Sequence, residues 1–180
     1  MKKVSLFLFL SATILFTSCE KDSNENPENN VKNSEESILG LWELTAYTVE
    51  NGTSVTETPF GDITQEYSSI GKDFEMQIEF SSDPNVVTST GSFLSETTIT
   101  VMGQTQVSEI PLYTAFNSST WEIRDDVLFF IDEDGKETEM NTIESTESKL
   151  ILSSDFDQEV ELQDGITTKA TGKLTVTMEK

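Results

Sequence analysis

Between Phe74 and Phe80 the chain alternates strictly. Phe74, Met76, Ile78 and Phe80 are apolar, and Glu75, Gln77 and Glu79 between them are polar. A β-strand turns successive side chains to opposite faces, so this pattern predicts one buried face and one wet face. Leu174, Val176 and Met178 repeat it against Lys173, Thr175, Thr177 and Glu179. No stretch shows the three-to-four spacing of a long amphipathic helix. Further strand candidates are Leu41–Glu50, Val86–Leu94, Thr97–Met102, Thr120–Arg124, Val127–Asp132, Glu137–Ile143, Lys149–Ser153 and Glu159–Gln163.

Turn chemistry falls between these segments. Asn51-Gly52, Asp134-Gly135 and Asp164-Gly165 supply the positive φ of tight turns, and Ser82-Asp83-Pro84-Asn85 fits another. Asp125-Asp126 joins Thr120–Arg124 to Val127–Asp132 as a hairpin. The sequence thus predicts an all-β fold, an antiparallel meander of about eight to ten strands met in chain order. Such a meander closes into a barrel or folds into a sandwich, and the barrel is the expectation adopted here. Thr56–Asp73 is the one long connection, either a lid over a barrel end or a plain surface loop.

Composition narrows the chemistry. The chain has no histidine and a single cysteine. It therefore lacks the usual general base, the usual zinc ligand and any Ser-His or Cys-His pair, and it cannot form an intramolecular disulfide. No enzyme activity, cofactor or metal is expected. Asp132-Glu133-Asp134-Gly135-x-Glu137 superficially suggests a calcium loop, but it lacks the ligand spacing of one and reads as a charged hairpin turn. Acidic residues number 33 against 11 basic, a net charge of −22. Nucleic acid is excluded as a partner on this ground, because phosphate backbones are bound by Lys and Arg.

The first residues have the parts of a secretory leader. Lys2 and Lys3 precede the apolar run Val4–Phe16, and small residues Thr17 and Ser18 follow. The run is shorter than the roughly 20 residues that cross a bilayer as a helix. Leu15-Phe16-Thr17-Ser18-Cys19 resembles the lipobox of bacterial lipoproteins, with Phe16 in place of the usual Leu. The resemblance implies cleavage before Cys19 and lipidation of Cys19, and hence a membrane partner reached through the lipid. Two or more acyl chains hold firmly, at about 0.8 kcal/mol per buried CH₂. Removal of residues 1–18 leaves 9 basic residues against 33 acidic, a charge of about −24.

Glu20 to Ser37 carries one aliphatic residue, Val31, and reads as a disordered acidic tether. Its start, Glu20-Lys21-Asp22, resembles the short signals that send lipoproteins to the cell surface in one Gram-negative phylum; the alternative is an ordinary acidic linker. The expected organisation is a signal peptide at 1–18, a lipidated cysteine and tether at 19–37, and one β-domain at 38–180.

Within that domain, Gly40-x-Trp42 resembles the first strand of the lipocalins. Thr120-Trp121-Glu122-Ile123, Leu128-Phe129-Phe130, Gly135-Lys136-Glu137, Lys149-Leu150-Ile151-Leu152 and Gly172-Lys173-Leu174-Thr175-Val176 follow in a recognisable order. Together they look like the small lipocalin-like lipoproteins of Gram-negative bacteria. The likeness is clear at Ile38–Tyr47 and from Thr120 onward, and poor across Asn51–Ser119. It implies a barrel closed at one end by Trp42. Lipocalins stack an Arg of the last strand over that Trp; here Arg124 lies mid-chain, so Lys173 or Lys180 is left for the place.

The functional expectation is an outer-membrane lipoprotein, monomeric, facing the cell surface or alternatively the periplasm, whose barrel binds a small apolar or amphipathic ligand. The alternative is an acidic β-domain with a packed interior that contacts a protein or glycan of the envelope.

Overall fold

Among the described residues, alternating side chains build eleven antiparallel strands behind one helical turn. The computed structural model describes residues 35–113, 119–163 and 166–180. The turn α1 (Glu35–Ile38) leads into a long β1 (Gly40–Glu57), followed by β2 (Ile63–Lys72) and β3 (Gln77–Ser81). Next come β4 (Val86–Thr90), β5 (Phe93–Val101) and β6 (Gln104–Leu112). The chain ends through β7 (Ser119–Arg124), β8 (Val127–Ile131), β9 (Glu137–Ser145), β10 (Lys149–Gln163) and β11 (Ile166–Glu179).

Eight strands form a closed barrel in the circuit β1-β3-β4-β7-β8-β9-β10-β11, and β11 returns to pair with β1. These strands follow chain order, so the barrel is a meander from which β2, β5 and β6 loop out. Closure removes the sandwich alternative. The cause of the excursion lies in β1. Its first residues, Gly40–Glu43, pair with β3, whereas Thr48–Thr56 pair with β2. Register shifts between Leu44 and Ala46 and between Glu50 and Thr53 bend the strand where its partner changes. β1, β10 and β11 run on past the barrel wall. With β2, β5 and β6 they form an open antiparallel flange in the order β10-β11-β1-β2-β5-β6.

The alternation predicted for residues 74–80 is borne out. Met76, Ile78 and Phe80 are buried, and Glu75, Gln77 and Glu79 are exposed. In β11, Val176 and Met178 are buried, while Lys173 and Glu179 are exposed. The Asp125-Asp126 hairpin also forms, both residues taking positive φ between the paired Arg124 and Val127.

Three expectations are corrected. Asn51-Gly52 is a bulge within β1: Asn51 takes φ 52°, but β11 and β2 hold the chain on both sides and it does not reverse. Most of Thr56–Asp73 is strand β2, neither lid nor loop. The run Val86–Leu94 splits at Gly91 into β4 and the start of β5, and Gln104–Leu112 adds a strand the sequence did not announce. The Asp164-Gly165 turn lies outside the described residues.

Candidate functional site

The barrel interior is where a ligand was expected, and its side chains fill it. Trp42, Ile78, Phe80, Val87, Leu128, Met140, Leu150, Leu152, Val176 and Met178 belong to one cluster, each between 0% and 2% exposed. A void large enough for water would leave its lining partly accessible, so these contacts leave no such void among these side chains. Rings set much of the packing. Phe80 meets Trp121 edge-on at 6.2 Å and Phe130 at 6.0 Å between centroids. Trp121 Nε1 donates to the carbonyl of Ser81 at 3.1 Å, which satisfies its one polar group.

One end is stoppered by the residues that enter and leave the barrel. Ile38 and Trp42 are fully buried, and Trp42 Nε1 donates to the Ile38 carbonyl at 2.8 Å. Lys180 lies across the same indole: its Nζ is 4.2 Å from the ring centre and donates to the Leu39 carbonyl at 2.9 Å. Lys173, the other cation weighed for this place, is exposed on the outer face opposite Glu50 and Asp155.

At the other end the wall opens into the flange across a seam of aromatic rings. Tyr47 and Phe74 pack on Phe93, with centroids at 4.9 and 5.5 Å. Beyond them, Tyr67 lies over Gly52 and Phe156 over Gly172. A Cβ at Gly52 would stand 2.6 Å from the Tyr67 ring and from its carbonyl oxygen, and one at Gly172 would stand 2.9 Å from the Phe156 ring. The Tyr67 hydroxyl donates to the Thr171 carbonyl at 3.2 Å. Burial pushes the Tyr47 phenol above its ordinary 10.0, with nearby Tyr67 adding to the shift. Burial alone pushes Tyr67 the same way.

The flange beyond the seam is polar on both faces. Its inner face continues with hydroxyl pairs, Thr56 with Thr168 at 2.9 Å and Ser69 with Thr97 at 2.8 Å. Its outer face bears an open polar groove of about 460 Å³ lined by Asn51, Thr53, Glu66, Ser68, Thr98 and Thr100. On that face Lys72 bonds Glu96 and lies 3.6 Å from Glu109; the hydrogen bond to Glu96, more than any other contact, raises its ammonium pKa.

Exposed apolar residues gather here as well. Among the described residues, seven of the nine large exposed hydrophobics fall in the excursion: Phe60, Ile63, Ile70, Met102, Val107, Ile110 and Tyr113. Phe60 sits at the β1–β2 turn and is 101% exposed; Met102 sits at the β5–β6 turn and is 92% exposed. This concentration was missed in the sequence, where the lipocalin likeness is poor across Asn51–Ser119 and β6 shows no regular alternation. The signal that could have found it is Met102-Gly103, a two-residue hairpin turn flanked by Thr and Val.

The other residues singled out from the sequence fall as follows. Cys19, Glu20, Lys21 and Asp22 lie outside the described residues. The acidic turn at 132–137 is held by Asp132, whose Oδ1 accepts from the backbone N–H of Asp134 at 3.0 Å and of Lys136 at 2.8 Å. Among the described residues no three Asp, Glu, His or Cys side chains converge as a metal site. No protein-family model matches the chain, no curated protein matches it and no solved structure matches it.

Proposed function

We propose that the chain is a lipid-anchored protein of the outer membrane, displayed at the cell surface, whose barrel is a rigid stand and whose flange binds a partner of the envelope. Lipid on Cys19 supplies the anchor, and the acidic tether from Glu20 to Ser37 supplies reach. The observation that carries this reading is the contrast between the two parts of one sheet. The core side chains of the barrel are buried to 5% exposure or less, while seven of the nine large apolar residues left in water among the described residues lie on the excursion. Exposed apolar surface of this kind marks interaction sites, whereas small-molecule sites are concave and enclosed. A filled interior therefore supports the interaction role over internal carriage of an apolar ligand.

The test uses the full chain in its host. A photo-activated cross-linker placed at Phe60 should trap a discrete partner on intact cells, and the same group at Glu139 on the barrel should not. Native mass spectrometry of the purified protein should find no bound small molecule. A stoichiometric apolar molecule, with no cross-link at the flange, would return the function to the barrel. For the anchor, Cys19→Ala should abolish incorporation of labelled fatty acid; normal labelling would remove the lipid from the proposal.

A further inference from the structure

The flange has two outer edges, and they are built differently. On one side β10 runs past the end of β9, whose pairing stops at Ser153. There Asp155, Asp157, Glu159 and Glu161 recur at every second position, and all four are exposed. Charge repeated along an edge prevents another strand from pairing with it. On the other side stands β6, with no strand beyond it among the described residues. Its one acid, Glu109, is near Lys72, and its exposed Val107 and Ile110 are apolar.

Hairpin geometry fixes which backbone groups of β6 face outward. Met102 and Gly103, with φ of 49° and 78°, form a two-residue turn closed by the pair Val101 and Gln104. In such a hairpin the closing pair exchanges both hydrogen bonds, and bonded pairs then alternate along the ladder. Gln104, Gln106, Ser108 and Ile110 therefore point their backbone groups at β5. Thr105, Val107 and Glu109 point theirs away from the sheet. Pro111 falls on the outward set, the one place where a missing N–H costs the ladder nothing.

We infer that β6 is a docking edge that accepts an extended segment of another protein, cationic between its apolar positions, as a twelfth strand of the sheet. The inference rests on the interaction role proposed above and names its site and partner chemistry. Backbone pairing supplies the attachment; because Val107 and Ile110 lie on opposite faces of the edge, an alternating strand meets one of them with its apolar face in either orientation. The net charge of −22 favours a basic partner and opposes a second copy of this chain.

The probe is a synthetic peptide alternating valine and lysine, long enough to span β6, added to the full chain. Binding should slow hydrogen exchange at the amides of Thr105, Val107 and Glu109, while those of Gln106 and Ser108 are slow already. Val107→Pro removes one outward N–H without touching the β5 ladder and should weaken binding about tenfold. Should that variant lose the slow amides of Gln106 and Ser108, Val107→Lys serves instead, since it keeps the N–H and repels the peptide. A peptide N-methylated at alternate residues keeps charge and side chains but cannot pair, and it should not bind. Equal binding of the methylated peptide, or full binding by either variant, overturns strand addition. Self-association that slows the same amides without peptide overturns the choice of partner. Partner cross-links at Phe60 that persist through either failure would leave the interaction role standing and remove only the edge.

Discussion

Lys180 Nζ lies 4.2 Å from the centre of the Trp42 ring and donates to the carbonyl of Leu39, so the last residue of the chain clasps the first strand of the barrel. The indole is wholly buried and its N–H is spent on Ile38, so the ring face is all of Trp42 that the ammonium meets besides its bond to Leu39. An exposed cation–π contact contributes about 0.5–1 kcal/mol. Lys180→Ala should therefore lower the melting temperature by a few degrees, and Lys180→Arg should restore most of it. Trp42→Ala removes the stopper itself and should cost about 3–5 kcal/mol. Thermal melts that rank the two substitutions equally would show that the indole is not packed as described.

The register of the last strand supports a paired test. Val176 is 2% exposed and faces the core, while Thr175 beside it, half-buried, takes the opposite face between Thr48 and Ser153. Val176→Asp buries a carboxylate with no partner, a cost of several kcal/mol against a total stability of about 5–15. It should abolish the cooperative transition in urea. Thr175→Asp should move the midpoint little, and similar effects from both would mean that the strand is turned over.

Where one face of a strand is buried the alternation is plain; in the flange, Thr97–Met102 and Glu159–Gln163 were legible as strands, but β2 and β6 were not. Met76, Ile78 and Phe80, and likewise Val176 and Met178, alternate because their polar neighbours are left in water while they are not. In β2 the apolar residues are Ile63, Tyr67 and Ile70, which fall on both faces, and Ile63 and Ile70 are exposed. A flange strand needs no regular alternation, so Thr56–Asp73 resembled a loop. Asn51-Gly52 carried a correct local signal, a left-handed residue, but only pairing with β11 and β2 decides between a bulge and a reversal. For the candidate site, the outward apolar residues of β6 could be seen only after β5 fixed their register. The place over Trp42 was open to two lysines until the outer face claimed Lys173.

Gly52 tests how firmly the flange is joined to the barrel. Any side chain there would strike both the Tyr67 ring and the Tyr67 carbonyl at 2.6 Å, and a backbone atom cannot swing aside as a ring can. Gly52→Ala should thus part β1 from β2 locally, at about 1–3 kcal/mol for overpacking. Hydrogen exchange should quicken in β2 and β5 while β8 and β9 keep their protection. Uniform loss of protection would mean that barrel and flange unfold as one unit.

Alkaline titration reaches the seam from its chemistry. Burial, then the neighbouring Tyr67, raises the Tyr47 phenol above 10.0, which means the folded protein holds that proton more tightly than the unfolded chain. The sign follows from linkage. Below the ordinary phenol value both states keep the proton and stability is unaffected. Above it the unfolded chain releases the proton first, so stability falls as pH rises toward the folded value. Tyr47→Phe removes this group and keeps the ring on Phe93. The variant should lose less stability than the parent between pH 10.0 and the folded pKa, and its tyrosinate absorbance should lose the Tyr47 share of the delayed rise, leaving that of Tyr67. Unchanged alkaline curves in the variant would show that the Tyr47 hydroxyl lies in water and that the seam is open.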